Sequence, residues 1–216
     1  MDERTLAVRF AAPHRVLSWA VVNGGAGVAR AVAWVRVRNA ELGPEVDPAD
    51  LLRARLAAAG LPGAVGLLTS ADLASYTDAA RERDGMAARC VATVGMGNAL
   101  RAGDPPWSAA RVGTINLLVR TSFALTEGAM LETLALASEA RALAVREAAV
   151  PSVKSGLPAS GTGTDCIVVA APLAGDPHAY AGKHTVAGHL VGAAVEEAIR
   201  TGVARWQAAR AAAARG

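Results

Sequence analysis

Residues 158–171 read P-A-S-G-T-G-T-D-C-I-V-V-A-A. The small and polar residues Ser160 to Asp165 run directly into an apolar stretch, Cys166 to Ala171. That order predicts a glycine-rich loop feeding a buried strand, with hydroxyls and one carboxylate held at the strand's entrance. Gly161 and Gly163 permit positive φ and close approach of a ligand to the main chain. Ser160, Thr162, Thr164 and Asp165 supply hydrogen-bonding groups beside it. Dinucleotide and P-loop glycines instead follow a strand and open a helix, so that phosphate meets the helix N-terminus. Here the glycines precede the strand and no G-K-[ST] follows, so phosphate binding is not the reading.

Outward from this stretch, strand and helix signals alternate. Upstream, Glu127 to Ala149 is a long Ala/Leu-rich helix stopped by Pro151. Before it, Val112 to Thr121 alternates, with Ile115, Leu117 and Val119 on one face and Thr114, Asn116 and Leu118 on the other. Gly113-Thr-Ile-Asn enters that strand much as Gly163-Thr-Asp-Cys enters the next, a faint internal echo. Downstream, a helix starts near Thr185 with Val191, Val195, Ile199 and Val203 along one ridge.

The N-terminal part adds a hairpin, Arg15 to Asn23 and Val28 to Arg38, joined by N-G-G-A-G. Its second strand has one face of Ala31, Ala33, Val35 and Val37, expected to be core. Its other face carries Val32 and Trp34 between Arg30, Arg36 and Arg38, expected to meet solvent, a ligand or a partner. Asp47, Pro48 and Asp50 open a helix that Gly60 ends. Val65 to Leu68 is a short strand, Thr69-x-x-Asp72 opens a helix towards Arg83, and Arg89 to Val94 is a strand ending in G-M-G-N. A loop carries D-P-P-W, Asp104 to Trp107. A hairpin start, strand–helix units and helices covering the sheet predict a single α+β domain over residues 1–216, with a mixed-sheet α/β fold as the alternative.

With 52% apolar and 19% charged residues the chain is globular and not disordered. Its 22 basic and 19 acidic residues are scattered, which gives nucleic-acid binding no support. Met1 to Phe10 is charged and lacks a signal-peptide core, and Val16 to Val22 is too short to span a bilayer. The expectation is a cytoplasmic chain that does not enter the membrane; homo-oligomerisation stays open. Cys90 and Cys166 lack C-x-x-C spacing and read as buried thiols. His184 and His189 are five apart, off a common helix face, so no metal is expected.

Several polar residues carry both a local and a chemical reading. His184, at a loop-to-helix entrance, is the leading acid–base candidate, or it helps Thr185 cap the helix. Asp165 orients such a histidine, holds a substrate amide, or ties its own loop through Asx-type bonds. Thr162 and Thr164 are nucleophile candidates or structural. Asn98 and Asn116 sit at strand ends, where asparagine is unfavourable and implies a specific hydrogen bond. Asn23 and Gly24 read as a turn, and Glu127 as a first-turn acid.

The motifs Asn23–Gly25, Gly66–Asp72, Val91–Asn98, Gly113–Asn116, Leu125–Ala129, Ser160–Asp165 and Tyr180–Thr185 occur in an order that resembles the adenosylcobinamide amidohydrolase family. The similarity covers roughly residues 15–200. It departs from the family pattern at Cys166, where a small residue is commoner, and at Glu127, where aspartate is. The resemblance implies hydrolysis of the amide joining the aminopropanol arm to a corrin, giving adenosylcobyric acid and 1-amino-2-propanol in cobamide salvage or remodelling. The cobalt then belongs to the substrate and no cofactor is required. On this reading His184 is general base and acid, Asp165 orients it, and water attacks, with Thr164 the covalent alternative. Asn23, Gly24, Asn98, Thr114, Asn116, Glu127 and Ser160 to Gly163 would hold the substrate. A non-catalytic corrinoid-binding module and a self-processing hydrolase with an N-terminal threonine are the competing readings.

Overall fold

The predicted hairpin is present, and its first strand is longer than its sequence signals. In this computed structural model, which describes residues 4–106 and 113–215, strand β1 runs Thr5–Ser18 and β2 runs Gly25–Arg36, paired antiparallel. Their register breaks where five steps along β1, Arg9 to His14, match two along β2, Ala31 to Ala29. Pro13 lies inside this bulge, where its missing N–H is tolerated. The extra residues bend the hairpin, and β1 starts ten residues before the predicted Arg15 because the chain turns through the bulge instead of ending there.

Helix α1 (Pro48–Ala58) has Asp47 as N-cap, its side chain accepting from Ala49 N–H. Strand β3 (Val65–Thr69) then pairs parallel to β2. The helix expected from Thr69 towards Arg83 is not formed. Thr69 Oγ1 accepts from Ala71 N–H at 3.1 Å, and Asp72 caps only a short 3-10 turn, Leu73–Ser75. Residues Thr77–Arg83 form strand β4, joined by Asp84-Gly85 to β5 (Met86–Val94). Asp84 and Gly85 both have positive φ, the D-G hairpin signal. Pairing along β5 overrides the helix preference of the Ala, Arg and Glu residues in β4.

A two-residue strand β6 (Ala99–Leu100) pairs with β8 (Gly161–Thr162) apart from the main sheet. Strand β7 (Ile115–Thr121), helix α2 (Glu127–Glu147) and β9 (Cys166–Pro172) form a parallel strand–helix–strand unit, in which Asn116 pairs with Cys166. The echo between the two strand entrances therefore lies side by side in space. Helix α3 (Val186–Ala213) ends the chain, with Thr185 as N-cap. The predicted strand start at Val112 and the Trp107 end of the D-P-P-W loop lie outside the described residues. The main sheet has the order β3-β2-β1-β9-β7-β5-β4 and is mixed, an α+β fold.

Three apolar clusters hold these layers. Ile115, Leu117, Val119, Ile167 and Val169 face α2 and α3, including the ridge Val191, Val195, Ile199 and Val203, each 0% exposed. Each such side chain contributes about 1.5–3 kcal/mol on burial. Helix α1 packs Leu52 and Leu56 on Ala31, Ala33 and Val35. The opposite face of β2 is not solvated as expected. Val32 and Trp34 are fully buried with Phe10, Leu67, Leu118 and Val168. Trp34 thus lines neither a ligand pocket nor an interface.

That third cluster exists because the sheet curls over itself. Laid flat, β3 and β7 would be four strand spacings apart, about 19 Å. Yet Asn116 Nδ2 donates to Leu68 O at 2.6 Å, and Trp34 Nε1 donates to Asn116 O at 3.3 Å. The bent hairpin carries β3 back across the sheet, and the curl closes on Trp34. Among the described residues no helix is long and apolar enough to cross a membrane.

Candidate functional site

The end of this curl is open. There the C-terminal end of β3 (Leu67 to Ser70) faces the entrances of β7 (Gly113 to Asn116) and β9 (Gly163 to Cys166) across a cleft of about 410 Å³. Trp19 and Val21, from the turn between β1 and β2, form its outer wall, each about half exposed. Its polar lining is Arg38, Thr69 and Ser70 on one side and Thr114, Asn116, Thr164 and Asp165 on the other.

Asp165 organises that loop. Its Oδ1 accepts from Ile115 N–H at 3.0 Å and from Thr162 Oγ1. Its Oδ2 accepts from Thr162 N–H at 2.9 Å and from Arg141 Nη1. Both oxygens are therefore filled by donors, which binds the group as a carboxylate and leaves it no lone pair for a substrate or histidine. Its backbone carbonyl accepts from Trp19 Nε1 at 2.8 Å, locking the exposed indole against the loop. Side-chain exposure is 15% for Arg141 and 6% for Asp165, so this ion pair is buried.

The loop's glycines work by space and not by dihedral angle, since neither Gly161 nor Gly163 has positive φ. A Cβ on Gly161 would sit 2.3 Å from Asp165 Oδ2 and 2.7 Å from Arg141 Nη1. Among the described residues no hydrogen bond engages the backbone N–H groups of Gly163 or Thr164. Both residues are exposed and line the cleft.

Other candidates from the sequence divide between this cleft and the rest of the molecule. Thr114 Oγ1 donates to Thr164 O at 2.8 Å and Thr164 Oγ1 to Gly113 O at 3.0 Å, stitching the two strand entrances together. Asn116 lines the cleft, but its amide is spent on Leu68 O and on Thr114 Oγ1. Asn98 is buried beside Gly113, its Oδ1 without a partner among the described residues. Ser160 Oγ accepts from Ala102 N–H at 2.8 Å, supporting the loop from behind.

Asn23 and Gly24 are turn residues away from the cleft. Asn23, at φ 55°, donates to Ala64 O at 2.8 Å and Pro62 O at 3.3 Å. A Cβ on Gly24 would meet Ala20 O at 2.4 Å.

His184 does not meet Asp165. Helix α3 places Gly202 against Val94, which pairs with Ile115 at the Asp165 end of the sheet. From Val186 to Gly202 the helix rises about 24 Å. His184 therefore sits at the opposite end, exposed, its ring beside Gly182. Glu127 lies at that end too, in the first turn of α2, near the segment whose Ala181 N–H donates to Glu132 Oε2 at 2.6 Å.

Sequence reasoning missed Arg141 and Trp19. Arg141 had a signal: it lies four residues after Ala137 and four before Val145, on the buried stripe of α2. An arginine there requires an acidic partner. Trp19 had none beyond preceding the N-G-G turn. Cys166 also lines the cleft; burial pushes its thiol from 9.0 up to about 11, against a lowering contact with Ser18 Oγ at 3.7 Å. Among the described residues no cluster of three His, Cys, Asp or Glu side chains is arranged to hold a metal ion.

Comparison with known proteins places relatives beside this geometry. A family model described as adenosylcobinamide amidohydrolase matches residues 1–211. A Methanocaldococcus jannaschii protein, Uncharacterized protein MJ1613, is 37% identical over 89 residues, 41% of this chain and 34% of that one. An adenosylcobinamide amidohydrolase of Halobacterium salinarum is 36% identical over 88 residues, 41% of this chain and 35% of that one. The matched stretch thus spans about a third of the length of each curated relative. The crystal structure of the PH0078 protein from Pyrococcus horikoshii OT3 is 12% identical over 88% of this chain and 72% of that one, at a TM-score of 0.47.

Proposed function

The chain belongs to the adenosylcobinamide amidohydrolase family, and from that premise we propose that it hydrolyses the amide linking the aminopropanol arm to the corrin ring of adenosylcobinamide. The products are adenosylcobyric acid and 1-amino-2-propanol, which places the reaction in salvage or remodelling of cobamides.

The observation that carries this reading is the pair of unengaged amides, Gly163 and Thr164, on the wall of a ligand-sized cleft. A volume of about 410 Å³ lies near the lower end of small-molecule sites, roughly 300–1,000 Å³. It suits a side arm and its amide, with the macrocycle resting on the apolar rim of Trp19 and Val21. Water attacks the arm's carbonyl carbon and the carbonyl oxygen becomes an oxyanion, which the two amides receive. Such donors supply roughly 3–4 kcal/mol of transition-state stabilisation. The C–N bond then breaks, the hydroxyl of water stays on the carbonyl carbon, and the proton that water gives up goes to the leaving amine of aminopropanol. Thr164 Oγ1 is the covalent alternative to water. Asp165 holds the loop and is not the base, because its oxygens are already filled.

Metal-stripped protein incubated with adenosylcobinamide, with products followed by liquid chromatography and mass spectrometry, tests the proposal. Adenosylcobyric acid and aminopropanol in equal amounts are expected. Corrinoid retained by the protein with no product, with or without added divalent ions, replaces hydrolysis by simple corrinoid binding.

A further inference from the structure

The buried ion pair behind the glycine loop creates an electrostatic problem and contains its solution. Asp165 Oδ2 is 2.9 Å from Thr162 N, one residue before Gly163 and two before Thr164. Asp165 lines the same cleft as Gly163 and Thr164, so an oxyanion received on that loop shares the cleft wall with a carboxylate. That carboxylate is only 6% exposed, so solvent screens it weakly. Alone, it would oppose the charge the loop is shaped to receive.

We infer that Arg141 neutralises Asp165 so that the Gly163 and Thr164 amides can accept developing negative charge, making Arg141 an electrostatic positioning residue. This rests on the reading of the cleft as an amide-hydrolysing site. Arg141 arrives from α2, a different element from the loop. Its Nη1 donates to Asp165 Oδ2 and its Nη2 donates to Ser138 Oγ at 3.3 Å. Its Nε is buried and has no partner among the described residues, so the guanidinium is held towards the carboxylate and away from water. The side chain itself is 15% exposed. Gly161 leaves room for the pair, since any Cβ there would overlap both partners. Asp165 can thus fasten Thr162 N–H, Thr162 Oγ1 and Ile115 N–H with its own charge offset by Arg141.

A mere staple and a charge-compensating pair predict opposite results when both partners are removed. Arg141→Met, Asp165→Asn and the double variant would be assayed on adenosylcobinamide, with rates normalised to the fraction folded by circular dichroism at the assay temperature. Arg141→Met is expected to lower kcat about 100-fold with KM within threefold of the parent, because a bare carboxylate then faces the oxyanion. The double variant is expected to recover at least tenfold over Arg141→Met, and Arg141→Lys to stay within about tenfold of the parent. A double variant as slow as Arg141→Met, or an Arg141→Met defect confined to KM, overturns the inference.

Binding of methylphosphonate, an anion probe followed by amide chemical shifts of Gly163 and Thr164, gives an arm independent of turnover. The parent and the double variant should bind it at least tenfold more tightly than Arg141→Met. Equal affinity in the parent and Arg141→Met also overturns the inference. If the parent leaves adenosylcobinamide intact, the proposed reaction falls, and the methylphosphonate arm still decides the role of Arg141.

Discussion

Asn116 and Leu68 belong to strands four places apart in the sheet order, yet the side-chain amide of one donates to the backbone carbonyl of the other at 2.6 Å. This contact closes the curl that forms the cleft. Asn116→Ala would strip the Leu68 carbonyl of its side-chain donor, at a cost of about 2 kcal/mol. For a chain of this size that lowers Tm by about 4–8 °C. A thermal melt by circular dichroism checks it, and an unchanged Tm shows that the curl is held by apolar packing alone.

How much of this was legible in the sequence depends on the range of the interaction. Helices α1, α2 and α3 were legible because Asp47, the Ala/Leu run of α2 and the ridge from Val191 to Val203 are local signals. The glycine loop feeding β9 was likewise local. Strand β4 was misread because its Ala, Arg and Glu residues favour a helix in isolation, and only pairing with β5 decides otherwise. The burial of Trp34 depends on a bulge at Arg9 to His14 that no local pattern announces. Within the site, Asp165 was found but its partner was misassigned. Strand β9 carries the chain away from Asp165, and His184 lies where α3 is about to turn it back, whereas Arg141 reaches Asp165 from α2.

Gly161 and Gly163 should respond differently to alanine. At Gly161 the new methyl overlaps the Asp165–Arg141 pair at 2.3 and 2.7 Å, overpacking that costs about 1–3 kcal/mol and displaces the loop. At Gly163 it meets only Leu100 Cδ1 at 3.4 Å and Asn98 Nδ2 at 3.5 Å, contacts that leave stability within about 0.5 kcal/mol. Urea titrations of the two variants separate them. Equal losses would mean that the pair does not fill the space beneath Gly161.

Trp19 is half exposed yet tethered through its indole N–H to Asp165 O, so its ring is pre-ordered before any ligand arrives. Trp19→Ala is expected to raise KM for adenosylcobinamide about tenfold with kcat nearly unchanged, since in the proposed binding mode the ring meets the macrocycle and not the reacting amide. Trp19→Phe keeps a ring but loses the tether and should fall between. Steady-state kinetics on the three proteins tests this; a fall in kcat at constant KM would assign Trp19 to the chemistry.

Cys166 lines the cleft without being an activated thiol. Burial raises its folded value from 9.0 to about 11, so at pH 8 its thiolate fraction falls roughly 100-fold below that of an ordinary cysteine. Iodoacetamide should label it correspondingly slowly in the native protein and rapidly in urea. The raised value also means that the folded state holds this proton more tightly than the unfolded one. The resulting stabilisation is complete below pH 9 and is lost as pH rises through about 11. Cys90 is buried and its thiol is also pushed up, so both cysteines contribute in the same direction. Native-state labelling at pH 8 as fast as in urea would place Cys166 in open solvent.

His184 was the leading base in the sequence, and the geometry argues against that assignment. The histidine lies just before the N-terminal end of α3, about 24 Å along the helix from Gly202, which packs against Val94. Acid–base catalysis requires hydrogen-bond reach, directly or through one water, and a side chain cannot cross that separation. Thr185 caps α3 through its own hydroxyl, which accepts from Gly188 N–H at 2.9 Å and donates to Gly182 O at 2.8 Å. The helix start therefore does not need the imidazole. His184→Ala should keep kcat on adenosylcobinamide within about threefold of the parent and leave Tm within about 2 °C. A loss beyond 100-fold in kcat with folding intact would return the histidine to the chemistry and require the segment before α3 to reach the cleft during turnover.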